Sequence, residues 1–388
     1  MSKIKINKRV ERIQPSGIRA FFDLVLGMDD VISLGVGEPD FVTPWNIREA
    51  AIYSLEQGRT SYTSNKGMIE LRRDISRHLE NGSGVKYDPE EEIVITVGVS
   101  EAFDLALRAL VDPRDKVLIP EPCYVSYGPI TTLCGGVPVY LKTDQRGGFK
   151  ITPEMIARSC DTKTKILILN YPNNPTGASY TRRELAKIAD VVKKKGLCVI
   201  SDEIYSELTF DHQHTPFAAL PSMRERTVSL NGFSKSYAMT GWRIGFACGP
   251  KHVIAAMVKI HQYTMLCAPI MSQIAAREAL KRGDRSVHQM KREYRRRRDY
   301  VTGELNEMGL ACAAPGGAFY VFPSITDVTG RGSIEFAKAL LKEERVAVIP
   351  GGAFGSSFEG FIRIAYASSM EDLKEALTRI KKFITRKR

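Results

Sequence analysis

Between about residues 90 and 250 the chain alternates short, almost wholly apolar runs with amphipathic segments, and few architectures accept that pattern. The runs at 92–97, 116–120, 165–170, 197–201 and 227–231 are too short for core helices and too apolar for strands with one wet face. They are expected to be strands buried on both sides. Between the third and fourth, Thr181-Arg-Arg-Glu184 has the spacing of a capping box, which predicts a helix through Lys195 stopped by Gly196. Alternation of this kind implies an α/β fold, a mainly parallel sheet flanked by helices on both faces. In such sheets ligands gather at the carboxyl ends of the strands.

The last third changes character. A long helical stretch near 270–308 precedes two strand-like segments, 317–322 and 360–366, with a helix around 334–344 between them. The expected organisation is a large domain over 45–285 and a smaller α+β domain over 286–388, joined by the N-terminal segment 1–44. The seven cysteines (Cys123, Cys134, Cys160, Cys198, Cys248, Cys267, Cys312) are odd in number and form no C-x-x-C pair, which suits reduced thiols and a cytoplasmic protein. No apolar stretch reaches membrane-spanning length, and the opening residues lack an apolar signal core. The net charge of +12 includes the run from Arg295 to Arg298, expected to lie on one solvated helix. Without aromatic interleaving or a helix-turn-helix pattern, this charge suits anionic small molecules better than nucleic acid. The lysine- and arginine-rich end is expected to be a frayed helix terminus.

Several segments at or after the apolar runs carry chemistry. Lys235 lies in a Gly/Ser loop after the run at 227–231, with Arg243 following in Thr240-Gly-Trp-Arg243. A free lysine amine titrates near ~10.4 and is a poor nucleophile at neutral pH. In a site that disfavours its charge it can condense with an aldehyde, and Arg243 could grip a phosphate. Pyridoxal phosphate makes both demands of a protein; the plain alternative is a surface lysine. Asp202 ends an apolar run, where it could pair with a pyridine nitrogen, cap a helix or form a structural salt bridge. Tyr205 could donate to a phenolate-like oxygen or simply fill core. In Asn170-Tyr-Pro-Asn-Asn-Pro-Thr-Gly177 two prolines fix the backbone and leave the Asn174 amide for a ligand, unless the loop is only a tight turn. Gly98, Val99 and Ser100 open a helix whose first amides could cradle an anion, or Ser100 could be a cap. Tyr124 could stack on a ring. Arg363 stands among core-forming residues with no carboxylate near it in sequence, either awaiting an anionic ligand or sitting in a surface ion pair.

Together these segments resemble the class I/II aminotransferases, fold-type I enzymes dependent on pyridoxal 5'-phosphate. The resemblance covers nearly the whole chain: Leu34-Gly-Val-Gly-Glu-Pro-Asp40, Tyr62-Thr-Ser-Asn-Lys-Gly67, the Asn-Asn-Pro-Thr-Gly loop, Ser-Asp-Glu-Ile-Tyr, the Ser-Lys and Thr-Gly-Trp-Arg loop, and Phe361-Ile-Arg363. It implies that Lys235 holds the cofactor as a Schiff base and shuttles the substrate proton. It further implies Asp202 on the pyridine nitrogen, Tyr205 and Asn174 on the ring oxygen, and Tyr124 on the ring face. Gly98, Val99, Ser100, Ser234 and Arg243 would hold the phosphate, with Tyr62 reaching in from a second subunit of a homodimer. Arg363 would bind the substrate α-carboxylate in two-pronged fashion, assisted by the Gly37 backbone and Asn174. No metal enters the scheme, and Asp211-His-Gln-His214 reads as an exposed turn.

Tyr124 stands where some branches carry tryptophan, and no motif supplies a second cation for a distal carboxylate. Thr-Gly-Trp-Arg and His261-Gln-Tyr-Thr resemble the branch of aspartate, aromatic and N-acetyl-diaminopimelate aminotransferases. The implied activity is amino-acid:2-oxo-acid transamination with 2-oxoglutarate and glutamate as one pair. The alternatives are β-elimination or cyclising elimination on the same scaffold, and a non-catalytic ligand-sensing domain of a regulator.

Overall fold

The computed structural model describes residues 4–15, 17–18, 27–330 and 332–387. Residues 1–3 of the opening segment and Arg388 at the basic end lie outside them. In chain order the strands are β1 (Ile32–Ser33), β2 (Ile93–Thr96), β3 (Lys116–Glu121), β4 (Val137–Lys142), β5 (Thr164–Asn170), β6 (Cys198–Asp202), β7 (Thr227–Gly232), β8 (Gly245–Cys248), β9 (Tyr320–Val321), β10 (Val346–Ala347), β11 (Ile349–Pro350) and β12 (Ile362–Ala365).

Strands β2 to β8 form one sheet in the order β2-β8-β7-β6-β5-β3-β4. Six of them point one way; β8 runs antiparallel to both β2 and β7. All five expected strands are present, their ends moved by a residue or two. Alternate side chains enter opposite cores, as a doubly covered sheet requires. Ile166 and Ile168 of β5 pack with Phe103 and Leu107, while Leu167 and Leu169 pack with Leu185 and Val192. The helix Arg182–Lys195 begins with the expected capping box at Thr181 and Glu184, and Gly196 closes it in the left-handed conformation.

Two strands of this sheet escaped sequence reading. β4 is an edge strand containing a proline, and most of its side chains are partly wet, so it shows no apolar run. β8 begins with Gly245, where a side chain would press on the peptide between Gly98 and Val99, 2.8 Å from a Cβ. Its composition answers to that close approach.

Beyond the sheet lies a second layer built on β9, β11 and β12, paired antiparallel in the order β11-β12-β9. β1 pairs parallel with β10, so the N-terminal segment packs with the C-terminal third, and Leu34 shares its apolar core. The expected long helix is two, Ile270–Arg282 and Asp284–Glu307, broken at Gly283. A Cβ there would meet the Ala279 carbonyl and the Tyr237 ring, so the break holds a tight contact. The chain passes residue 285 inside the first turn of the second helix.

Two surface expectations fail for the same reason. The basic run does lie on one helix and Arg295 and Arg296 are exposed as expected, but Arg297 and Arg298 are buried: Arg297 binds Asp40 at 2.8 and 2.9 Å and Glu293 at 2.9 Å, and Arg298 binds Asp211 at 2.6 Å. At the chain end, Phe383 and Ile384 are buried within the helix Met370–Lys387, which therefore does not fray where expected. Arginine stems and scattered apolar residues bury readily when a partner surface is present.

Candidate active site

A parallel sheet delivers the carboxyl ends of its strands to one edge, and the chemistry collects there. β5 ends at Asn170 and β6 at Asp202, register partners on adjacent strands. β7 leads into Ser234 and Lys235, β2 into Gly98, and β3 into Tyr124. Because β8 is reversed, Arg243 arrives at this same edge just before its start. From the second layer, β12 contributes Arg363 and β9 Tyr320. These groups line one cavity of about 620 Å³.

Lys235 reaches into the cavity and donates to the Gly37 carbonyl at 2.5 Å. The residue is partly buried and lines the cavity. Burial pushes its pKa down to about 8; Glu38 pulls the other way, and Arg363 and Arg243 add to the fall. At neutral pH an appreciable fraction is then the free amine, which is the nucleophilic form.

Asp202 is buried at the cavity floor. Its Oδ2 accepts from the Tyr127 hydroxyl at 2.7 Å and its Oδ1 from the Ile204 amide at 3.2 Å. Burial lifts its pKa to about 6, and those two hydrogen bonds restrain the rise. A carboxylate so placed suits a cationic nitrogen better than water.

Arg363 is 2% exposed and has no carboxylate partner among the described residues. It donates from Nη1 to Asn174 Oδ1 at 2.9 Å and from Nη2 to the Gly35 carbonyl at 2.6 Å, while Nε is buried without a partner. Burial lowers its pKa. Asn174 is held by its own backbone amide, which donates to Asn170 Oδ1 at 3.0 Å. Its side-chain oxygen accepts from Arg363, and the residue lines the cavity.

The helix Gly98–Leu110 starts beside Arg243. Gly98 has φ of 76°, and a Cβ there would lie 2.6 Å from Arg243 Nη2, so guanidinium and helix start are in contact. Val97, not Ser100, is the N-cap residue and its side chain makes no capping bond; Glu101 Oε2 accepts from the Val97 amide at 2.5 Å, which leaves the amides of Gly98, Val99 and Ser100 as the open donors of the first turn. Val99, Ser100 and Ser234 line the same cavity as Arg243. Free amides, two hydroxyls and a guanidinium make an anion cup.

Of the residues read from sequence, Gly37, Val99, Ser100, Tyr124, Asn174, Asp202, Tyr205, Ser234, Lys235, Arg243 and Arg363 line the cavity, and Gly98 adjoins it through Arg243. Tyr62 does not: it is 83% exposed on the surface of this chain. The histidines of 211–214 are not in a bare exposed turn. His214 contacts Glu203 at 3.2 Å and stacks on Tyr171, and His212 bonds Ser179 and the Tyr180 carbonyl.

Residues 29–380 match the family described as Aminotransferase class I and II. The chain belongs to that family. The aspartate aminotransferase of Pyrococcus abyssi is 44% identical, with 99% of each chain covered, and the YugH protein of Bacillus subtilis is 54% identical, with 97% of each covered. Among solved structures, the aromatic aminotransferase of Pyrococcus horikoshii superposes with a TM-score of 0.90 at 44% identity, over 95% of this chain and 99% of the other. The protein is thus a pyridoxal-phosphate-dependent aminotransferase with a fold-type I architecture. The residues present fit that cofactor: an anion cup, a buried carboxylate and a desolvated lysine share one cavity of sufficient size.

Sequence reading missed Tyr127, Tyr320, Asn170 and Glu38. Tyr127 and Tyr320 sit in apolar surroundings and look like core aromatics; only their hydroxyl partners, distant in sequence, mark them out. Asn170 opens the Asn-Tyr-Pro-Asn-Asn-Pro-Thr-Gly segment, but its role in holding Asn174 is a loop contact with no local signature. Glu38 lies in Gly-Val-Gly-Glu-Pro-Asp, where nothing local marks it as a charge acting on Lys235.

Proposed function

We propose that this aminotransferase moves amino groups between α-amino acids and 2-oxo acids, carrying pyridoxal phosphate covalently on Lys235. The donors we infer are of aspartate, aromatic or N-acetyl-diaminopimelate type, exchanging with 2-oxoglutarate and glutamate in a ping-pong cycle. One observation carries the reading: Lys235, pushed down to about 8, shares a cavity with Asp202 and with a buried arginine that lacks a carboxylate partner. When bound, the cofactor supplies an electron sink for bonds at the substrate α-carbon. Asp202 would hold the pyridine nitrogen protonated. Tyr205 and Asn174 would donate to the ring oxygen, Tyr124 would cover the ring face, and Gly98, Val99, Ser100, Ser234 and Arg243 would hold the phosphate. Arg363, with Asn174 and the Gly37 backbone, would take the substrate α-carboxylate. Lys235 would carry a proton from the substrate α-carbon.

The working unit in this proposal is a cytoplasmic homodimer. Trp45, Ile52, Tyr53 and Leu55 on one helix, with Tyr263 and Met265, leave much apolar surface exposed, which suits a protein partner. A second copy would bring its Tyr62 to the phosphate. Residues 45–285 would form the cofactor-binding part, and 286–388 with 1–44 the smaller part. Borohydride reduction and peptide mapping test the centre of the proposal: the pyridoxyl group should be found on Lys235. A label on another lysine overturns it. A panel of amino donors with 2-oxoglutarate, scored by glutamate formed, identifies the substrate.

A further inference from the structure

We propose that Tyr320 is a positioning residue that sets both the Tyr205 hydroxyl and the Arg363 guanidinium, so that one side chain ties the ring-oxygen donor to the carboxylate anchor. The inference rests on the function proposed above.

The Tyr320 hydroxyl lies 2.8 Å from the Tyr205 hydroxyl, between strand β9 and the loop after β6. Both side chains are almost fully buried, at 1% and 3% exposure. Two phenol oxygens at that distance place one proton between them. With the Tyr205 hydroxyl donating to a cofactor ring oxygen, Tyr320 would be the donor of the pair, and its hydroxyl has no other hydrogen-bond partner among the described residues. Accepting that bond polarises Tyr205 and makes it a stronger donor in turn.

The ring of Tyr320 has a separate task. The Arg363 guanidinium lies over it at 4.5 Å, and over Phe354 at 5.0 Å. Where both groups are buried, a ring face holds a cation in place without using any of its N–H groups. The guanidinium is therefore fixed while donors remain for a carboxylate. The hydroxyl also abuts Gly37, where a Cβ would come within 2.7 Å, and the Gly37 carbonyl is the acceptor for Lys235. A phenylalanine would fill the same core volume. The buried hydroxyl is explained by what it bonds.

Removing oxygen and ring separately tests the two tasks. In Tyr320→Phe the ring stays, so KM for the amino acid should hold within about twofold. The weaker Tyr205 bond leaves more electron density on the ring oxygen, which then holds the neighbouring proton on the Lys235-linked nitrogen more tightly. The pH midpoint of the bound cofactor's visible absorbance should rise by about half to one unit. In a Tyr205→Phe background the same substitution should move the midpoint by less than about 0.2 unit, because its effect passes through Tyr205. Tyr320→Leu removes the ring as well, so it should show the midpoint shift together with a KM raised about tenfold. It also carries the titration should Tyr320→Phe not accumulate as folded protein. An unmoved midpoint, an equal shift without the Tyr205 hydroxyl, or an unchanged KM in Tyr320→Leu overturns the proposal. If the parent protein shows no visible cofactor band, the function proposed above has failed and this inference falls with it.

Discussion

A guanidinium buried to 2% exposure without a carboxylate in reach is held at a cost, and Arg363 bears that cost while offering planar donors to whatever anion enters. Lysine could supply the charge but not two parallel hydrogen bonds. Arg363→Lys is therefore expected to raise KM for amino and oxo acids at least about tenfold, with cofactor content unchanged; steady-state kinetics and cofactor absorbance decide it. Asp202 bears a similar cost. Its folded pKa of about 6 lies above the usual carboxylate value, so between those values the folded protein binds more protons than the unfolded chain. Its penalty is absent at low pH and grows as pH rises toward 6. Cofactor-free Asp202→Asn should thus be more stable than the cofactor-free parent at pH 7.5, on the order of 1–2 kcal/mol, and the gap should close between pH 6 and 4. Urea unfolding at several pH values measures this. The same variant should be nearly inactive, because an amide cannot keep the pyridine nitrogen protonated.

Among the elements, the start of the helix Gly98–Leu110 is the most tightly specified. Gly98 sits at φ of 76° against Arg243, and Gly245 presses on the Gly98–Val99 peptide from β8. Strand, helix start and arginine loop thus fix one another, and the anion cup is their common product. Gly98→Ala introduces an unfavourable φ and pushes Arg243 aside. The expected result is a loss of about 1–2 kcal/mol in stability and a cofactor dissociation constant raised about tenfold or more, read by reconstitution of cofactor-free protein. A loss of stability without the loss of affinity would show that the cup forms elsewhere. The capping box at Thr181 was legible because its two partners are three residues apart, whereas this cup was legible only as a weak glycine signal. Its partners come from three separate elements.

For the whole molecule, the arrangement of Tyr62 and the apolar helix Trp45–Glu56 at the surface makes the site of a single chain incomplete under the proposed function. Light scattering at assay concentration should give twice the mass of one chain. Mixed dimers of Tyr62→Phe and Lys235→Ala chains provide a sharper test. In such a dimer both substitutions fall on one site if Tyr62 serves its neighbour, which leaves the other site intact and active. If Tyr62 serves its own chain, each site is damaged once and activity stays low. The small layer is tied to the site by Arg297, whose bonds to Asp40 anchor the segment carrying Gly35, Gly37 and Glu38. This link is long in range, and the basic run that contains it looks solvated in sequence.

What the sequence determined by itself was whatever depends on local order: the buried strands, the capped helix, and the glycine, proline and lysine loops that follow them. Those features are encoded within a few residues, where backbone preference and apolar spacing suffice. Tertiary structure alone decided which hydroxyls meet and which charges go without a partner. Tyr127 becomes a donor to Asp202, Tyr320 joins Tyr205, and Arg297 and Arg298 leave the surface, because residues far apart in the chain are brought within hydrogen-bond distance. Arg363 drew notice in the sequence as a basic residue among apolar neighbours. Only the packed core around it shows that no carboxylate of this chain's described residues answers its charge, since burial and partner are properties of the assembled layers.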